Sequence, residues 1–337
     1  VRARGVVTDS AHNIIAQTDD MEKDRLVFDG RGKTYLKISA EETGDYKIIF
    51  RAIGKFSNIS RFSGGTNHSL ALDGDGHIFS WGDNSFGQLG DASLNSRAVP
   101  KQIESIEKGV AIAAGNAFSI AALADGSVWS WGKNDYGQLG RISNQMSNEP
   151  GEISGIKNVV AVAAGDIFAV ALKDDGTVWA WGQNTFGQLG DGTTANSNIP
   201  VQVNGLSNIV AIAAGATHAL ALTGDGRVWA WGYGTSGQLG TGTKSENIPV
   251  LIQALSGVKT VNAGTSHSMA TTKDGSAYFW GLNASTQLGI VSGNIDIPTK
   301  LAGIQGASLA AGGIAHSAVI SDDGSMYTMG DNTYGQL

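Results

Sequence analysis

The sequence predicts an all-β protein of the propeller type, and three repeated features support this class. An anchor residue recurs at intervals of 50, 50, 50, 49 and 49 residues, at Trp81, Trp131, Trp181, Trp231, Trp280 and Met329. A glycine stands sixteen residues before every anchor, and an Asp-Gly pair lies between the two. Four-stranded antiparallel sheets repeated at about 50 residues are the blades of a propeller, and 4–8 such blades close a ring.

Each repeat consists of short predicted strands. The alanine-rich run "NVVAVAAG" at 158–165 predicts the innermost strand, because large side chains would collide where neighbouring blades converge. Residues 167–182, "IFAVALKDDGTVWAWG", place two apolar runs around an Asp-Gly turn, which is the strongest short-range signal for a β-hairpin. A glycine-rich loop and the segment "IPVQV" at 199–203 follow. We expect three or four antiparallel strands per repeat.

The repeated tryptophans predict packing between blades. Trp129 and Trp131 are two residues apart, so their side chains leave the same face of a strand. An indole buried between two sheets contributes roughly 2–3 kcal/mol of transfer free energy. We therefore predict a structural, inter-blade role for eight tryptophans: Trp81, Trp129, Trp131, Trp179, Trp181, Trp229, Trp231 and Trp280.

Composition excludes several classes of function. The chain has 337 residues, of which 41% are apolar and 16% charged, so it can bury a large core. A net charge of −7 and a pI of 5.3 disfavour binding to nucleic acid, which requires a basic face. Without cysteine the chain has neither disulfides nor thiolate metal sites. No run of 18 apolar residues occurs, so we expect no insertion into a membrane.

The repeats resemble those of the regulator of chromosome condensation family. The segments that carry the resemblance include "GTNHSLALDGDGHIFSWGDNSFGQLGD" at 65–91 and "GATHALALTGDGRVWAWGYGTSGQLGTG" at 215–242. The resemblance covers residues 50–337 and implies a ring of seven blades. We therefore expect a seven-bladed β-propeller with six clear repeats and a seventh that is degenerate or incomplete.

Two hypotheses remain open for the β-rich segment at residues 1–49. The run "AHNIIAQTDDMEKDRLVFDG" at 11–30 could be a degenerate copy of the hairpin and thus the seventh blade. Alternatively, "TYLKISAEETGDYKIIFRA" at 34–52 could end a separate β-sandwich. At the other end, "DNTYGQL" stops inside the repeat motif, so we expect that the chain is cut within its last repeat.

Histidines at one repeat position invite a metal-binding hypothesis, which we reject. They lie three residues after the repeat glycine, at His68, His218, His267 and His316, whereas two repeats carry Phe118 and Phe168 there. Equivalent positions on different blades are far apart, unlike the ligands of one metal ion, so we expect these histidines to satisfy hydrogen bonds of the blades. The Asp-Gly pairs are explained by the positive φ of tight hairpin turns rather than by calcium. We predict no catalytic residue, cofactor site or metal site.

Candidate interaction residues lie in the loops. An aromatic side chain follows the anchor by five residues in four repeats, at Phe86, Tyr136, Phe186 and Tyr334. The segments between repeats vary most in sequence, and variable loops on a rigid scaffold are where recognition usually occurs. From these segments we add four charged candidates: Arg97, Arg141, Lys244 and Glu246.

These features predict a non-enzymatic scaffold that binds a protein partner through the loop face of the propeller. Guanine-nucleotide exchange on a small GTPase, which the resemblance implies, is the first alternative. The even repeat spacing, with no projecting insertion, and the negative charge argue against it. An inhibitor propeller that docks on an enzyme is the second alternative. We expect a monomer with an unidentified partner, and the polar loops favour a bacterial, extracellular or cell-surface protein.

Overall fold

The fold was analysed in a computed structural model. It describes residues 59–337 apart from 243 and 291–292 and, before residue 59, only the backbone of five short strands. These strands are β1 Gly5–Thr8, β2 Ile14–Thr18, β3 Arg25–Phe28, β4 Thr34–Lys37 and β5 Lys47–Ile48. They pair in the order β2-β1-β5 and, separately, β3-β4. Whether residues 1–49 are a degenerate blade or part of a β-sandwich lies outside the described residues and stays a prediction.

Residues 59–337 form six antiparallel sheets in chain order, which we call blades 1 to 6. Blade 1 contains β6 Ile59–Gly64, β7 His68–Asp73, β8 Ile78–Gly82 and β9 Arg97–Gln102. Blade 2 contains β10 Gly109–Ala114, β11 Phe118–Leu123, β12 Val128–Gly132 and β13 Ser147–Glu152. Blade 3 contains β14 Val159–Ala164, β15 Phe168–Lys173, β16 Val178–Gly182 and β17 Ser197–Gln202.

The remaining blades follow the same order. Blade 4 contains β18 Ile209–Ala214, β19 His218–Thr223, β20 Val228–Gly232 and β21 Glu246–Leu251. Blade 5 contains β22 Val258–Ala263, β23 His267–Thr272, β24 Ala277–Gly281 and β25 Ile295–Lys300. Blade 6 has three strands, β26 Ala307–Gly312, β27 His316–Ser321 and β28 Met326–Gly330. The predicted hairpin around each Asp-Gly turn is the pairing of the second and third strands of its blade.

The repeat glycine is required by a close approach between blades. A Cβ on Gly115 would lie 2.0 Å from the ring of Phe118 and 2.5 Å from the carbonyl oxygen of Gly165 in the next blade. Beside these glycines, backbone hydrogen bonds join one blade to the next: Asn116 donates to the Asp166 carbonyl at 2.9 Å and Asp166 to the Ala216 carbonyl at 3.0 Å. No side chain larger than hydrogen fits at this position.

The hydrophobic core is divided into clusters, each shared by two neighbouring blades. The cluster between blades 1 and 2 joins Leu70, Leu72 and Ile78 of blade 1 to Ala121 and Trp131 of blade 2. Equivalent clusters join the later blades. Because each cluster joins two blades, and blades 2 to 5 each contribute side chains to two clusters, removing one buried anchor weakens the contact between whole sheets.

The expected seven blades are not what the described residues show, since they form six. The first fifty residues carry no copy of the indole anchor, and the seventh blade predicted there lies outside the described residues. In blades 1 to 5 one side of the sheet packs on the following blade, and the same side of blade 6 is exposed. Met326 is 53% exposed, whereas the equivalent residues of blades 1 to 5 are at most 1% exposed: Ile78, Val128, Val178, Val228 and Ala277. No helix of membrane-spanning length and hydrophobicity occurs among the described residues.

Candidate functional site

The turn between the first two strands and the loop between the last two strands lie at the same end of each blade. The first residue of the loop donates its N–H to the turn in successive blades, from Asp83 to the Asn67 carbonyl and from Lys133 to the Ala117 carbonyl, both at 2.8 Å. We call this end the loop face. The Asp-Gly turns lie at the opposite end, which we call the turn face.

A buried polar frame holds the loop face rigid. In blade 2 the Asn134 Oδ1 atom accepts the N–H of Leu139, and the Gln138 Oε1 atom accepts the N–H of Tyr136, both at 2.9 Å. Asn134 and Gln138 are buried, and blades 1 and 3 have the same two bonds. The aromatic side chain of each loop is therefore carried on an ordered turn.

The aromatic candidates form an arc across the first three blades of the loop face. Phe86, Tyr136 and Phe186 are each 37–41% exposed although their backbones are fixed. Residues of the following blade cover part of two rings, since Lys133 Nζ lies 4.8 Å above the centre of Phe86 and the Tyr233 ring is 4.7 Å from Phe186. We call these three side chains the aromatic arc. Tyr334 is almost fully exposed at the far end, in blade 6.

Of the four charged candidates, the two arginines make contacts within their own blades, whereas the lysine and the glutamate are at least partly exposed. Arg97 is mostly buried, pairs with Asp91 and donates to the Ser80 carbonyl at 3.2 Å. Arg141 donates to the Ser130 carbonyl at 3.3 Å, and burial lowers the pKa of its guanidinium. Both arginines thus fasten a loop to its own blade. Glu246 begins β21 and is half-buried, whereas Lys244 is exposed.

The tryptophans occupy two environments. Four anchor indoles are fully buried, at Trp131, Trp181, Trp231 and Trp280. Each donates its N–H, at 2.9–3.0 Å, to a glutamine carbonyl of the preceding blade. The other four, Trp81, Trp129, Trp179 and Trp229, are half-buried.

Buried histidines link neighbouring blades through serine hydroxyls. The sequence predicted that these histidines satisfy hydrogen bonds of the blades, but it did not identify the serine partners. His68 Nε2 lies 2.9 Å from Ser119 Oγ in the next blade, and that hydroxyl donates to the Gln88 carbonyl at 2.8 Å. The hydroxyl proton is thereby used, so the histidine donates through Nε2. Two further pairs have the same contact at 2.8 Å: His218–Ser268 and His267–Ser317.

In the repeats that have phenylalanine in place of this histidine, the serine of the next blade is also replaced. Phe118 and Phe168 pack against the next blade, where the residue at the serine position is Ala169 or Ala219. Histidine is thus paired with serine and phenylalanine with alanine. The Nδ1 atoms of the three paired histidines have no hydrogen-bond partner among the described residues. Burial lowers the pKa of His218 to about 3, so this ring is neutral at pH 7.

One group of side chains has the composition of a metal site. The ligand atoms of Asp73, Asp75 and His77 lie within 4.8 Å of one another at the first Asp-Gly turn. Asp73 Oδ1 already accepts the N–H groups of Asp75 and His77, and its other oxygen is 2.9 Å from His77 Nδ1. That hydrogen bond raises the pKa of His77. These contacts account for the group as the closure of a turn.

Comparison with known proteins identifies the family. The profile of the RCC1-like domain matches residues 107–337, and profiles of the regulator of chromosome condensation (RCC1) repeat match residues 75–122 and 59–88. The chain belongs to the RCC1-like family. The resemblance that the repeats suggested is thereby confirmed, although its blade count is not.

Relatives and solved structures extend this result. The chain is similar to mitochondrial RUG3 of Arabidopsis thaliana (43% identity over 61 residues, 18% of this chain) and to the human X-linked retinitis pigmentosa GTPase regulator (42% over 57 residues, 16%). These segments span only 14% and 6% of the relatives. Yeast RCC1 (Prp20) in complex with Kap60 has a TM-score of 0.73 at 28% identity, covering 81% of this chain and 70% of that one.

Further solved structures fit the same assignment. Human WBSCR16 has a TM-score of 0.71 at 26% identity, covering 78% of this chain and 72% of that one. Prp20p of Saccharomyces cerevisiae, whose binding to Gsp1p and histones has been described, has a TM-score of 0.70 at 28% identity, covering 80% and 71%. Such RCC1-like relatives support a role in protein interaction or regulation. All of these relatives are eukaryotic and give the predicted bacterial origin no support.

Proposed function

We propose that this RCC1-like propeller is a non-catalytic scaffold that docks a protein partner on its loop face, with the aromatic arc at the centre of the contact. The observation that supports this proposal is the combination of exposed rings with rigid backbone. Aromatic side chains are enriched in the energetic centres of protein interfaces. Because the turns beneath Phe86, Tyr136 and Phe186 are fixed by buried amides, binding loses little backbone entropy.

The first test compares two triple variants. Replacing Phe86, Tyr136 and Phe186 by alanine should weaken capture of the partner at least tenfold, since each buried hot-spot ring contributes about 2 kcal/mol or more. The measurement is quantitative affinity capture from source lysate, with the captured protein identified by mass spectrometry and its Kd then measured. Thermal unfolding of the variant should stay close to that of the wild type.

A matched control truncates three apolar side chains that are at least as exposed but lie on outer strands, Val99, Ile199 and Ile248. This variant should keep the partner's affinity within twofold. Equal losses in the two triple variants would show that the arc is not the docking centre, and full retention by the arc variant would contradict the proposal.

Nucleotide exchange is the alternative favoured by the similarity to Prp20p, which binds Gsp1p. The two functions separate in an assay of labelled GDP release from a small GTPase. A scaffold should leave the release rate unchanged at substoichiometric protein. Rapid release at catalytic concentrations would replace the scaffold proposal by the exchange alternative.

A further inference from the structure

A small cavity of about 310 Å³ lies on the turn face of blade 4, away from the aromatic arc. It is bounded by the connection that enters this blade and by the blade's own Asp-Gly turn, which are joined by the hydrogen bond from the Gly224 N–H to the Asn208 carbonyl at 3.2 Å. Its polar wall is formed by Ser207, Asn208, Thr223, Asp225 and Arg227, and its aromatic wall by Trp229.

Comparison with blade 3 shows which residues open the cavity. The positions of Ser207 and Thr223 are occupied in blade 3 by Lys157 and Lys173. Lys173 pairs there with Asp175 at 3.2 Å, and Lys157 with Glu152. Two long side chains are thus replaced in blade 4 by two short hydroxylated ones, and the one that lies on the turn in blade 3, Lys173, is replaced by Thr223.

The third difference concerns the indole. In blade 3 the Trp179 N–H donates to the hydroxyl of Thr177 at 3.3 Å, and blade 2 has the same contact between Trp129 and Ser127 at 3.1 Å. Blade 4 has Arg227 at this position, which offers no acceptor. Among the described residues the Trp229 N–H has no hydrogen-bond acceptor, so this donor is available at the wall of the cavity.

The charges of the cavity select a neutral ligand. Arg227 and Asp225 form an ion pair at 2.8 Å, and Asp225 also accepts the hydroxyl of Thr223. The pair neutralises itself, so neither an anion nor a cation gains a net opposite charge. Each partner is more than half exposed and keeps hydrogen-bonding positions directed to solvent. Carboxylate, guanidinium, amide and hydroxyl groups therefore line the cavity together with one indole.

We propose that this cavity binds a neutral pyranose sugar. The apolar face of the ring packs on Trp229, and neighbouring hydroxyls bind the Asp225–Arg227 pair, Asn208 and Ser207. Pockets that bind small molecules have volumes of about 300 Å³ and more. The cavity lies at the lower end of this range, so it suits a single sugar unit. This site is independent of the docking surface proposed above.

The test uses saturation-transfer NMR on the full chain with the methyl glycosides of glucose, galactose and mannose, and with adenosine as a flat aromatic competitor. At least one glycoside should receive saturation on its ring protons. Arg227→Thr should weaken its binding at least tenfold, because it removes the guanidinium that is proposed to bind the sugar hydroxyls. The new hydroxyl can accept the Trp229 N–H, as Thr177 accepts the Trp179 N–H in blade 3. This variant makes residues 225–232 identical to residues 175–182, so the fold is expected to tolerate it.

A second variant, Ser207→Lys, puts a long side chain in place of a hydroxyl that is proposed to bind the sugar and should give a similar loss. The triple alanine variant of the aromatic arc should bind the sugar like the wild type. The proposal is overturned if no glycoside binds, if adenosine binds in place of the glycosides, or if both cavity variants keep wild-type affinity.

Discussion

Acidification from pH 7 to pH 4 is expected to unfold the propeller, because three buried histidines take up protons only when the blades separate. Burial lowers the pKa of His68 to about 4, of His218 to about 3 and of His267 to about 4. Their Nε2 contacts with serines join successive blades. A charged ring at any of these three positions would lie in a site without a neutralising carboxylate in hydrogen-bond contact.

The direction of the effect follows from proton binding. In the unfolded chain these rings have a pKa near 6.5, so between pH 6.5 and 4 the unfolded state binds more protons than the folded state. Stability is therefore complete above pH 6.5 and falls as the pH decreases through this window. These pKa values lie about 2.5 to 3.5 below 6.5, which corresponds to roughly 3–5 kcal/mol per histidine. Three such losses are as large as the roughly 5–15 kcal/mol that stabilise a whole domain.

The measurement is urea unfolding followed by tryptophan fluorescence at pH 7.5, 6.5, 5.5 and 4.5. The matched variant combines His218→Phe with Ser268→Ala, which copies the Phe168–Ala219 pair of the preceding junction. It should lose about a third of the pH dependence. Ser268→Ala alone should be less stable at pH 7.5 than the double variant, because it leaves the His218 N–H unpaired. An unchanged pH dependence in the double variant would assign the acid sensitivity to carboxylates instead.

The repeat could be predicted because its period is visible in the chain. The spacing of Trp131 and Trp181 places both indoles at equivalent positions, and the Asp-Gly turns mark the hairpins, so the propeller class follows from local pattern. The blade count could not be obtained in the same way. It came from family resemblance, and residues 1–49 carry no indole that would fix the register of another repeat.

The contacts between blades were harder to predict than the blades. The sequence showed that one repeat position holds histidine in some blades, such as His68, and phenylalanine in others, such as Phe118. The reason lies in the following blade, at the position 51 residues later. That position is Ser119 where the first residue is histidine and Ala169 where it is phenylalanine. That signal was present in the sequence and was missed. The cavity of blade 4 depends on three substitutions that meet only in space, so no single motif predicts it. The loop-face site remains a prediction because its partner is unidentified.

Trp181→Ala is expected to be among the most damaging single substitutions at the anchors, with a loss of about 3–5 kcal/mol in the free energy of unfolding. Trp181 is fully buried in the cluster between blades 2 and 3, and its N–H donates to the Gln138 carbonyl at 3.0 Å. Truncation leaves both a cavity and a buried carbonyl without its donor. Because each cluster joins two sheets, the loss should appear as separation of blades and not as local fraying.

Trp81 provides the matched comparison, since it has the same position in blade 1 but no described blade precedes it. It is half-buried and its aromatic contact is with Phe62 of its own blade, with ring centres 6.4 Å apart. Trp81→Ala should therefore cost less than half as much as Trp181→Ala in urea unfolding at pH 7.5. The loss in the free energy of unfolding for Trp181→Phe should lie between the losses for Trp81→Ala and Trp181→Ala, because phenylalanine keeps most of the buried apolar area but cannot make the hydrogen bond. Equal losses at Trp81 and Trp181 would mean that the anchor stabilises its own blade, and packing between blades would no longer explain why this residue is repeated.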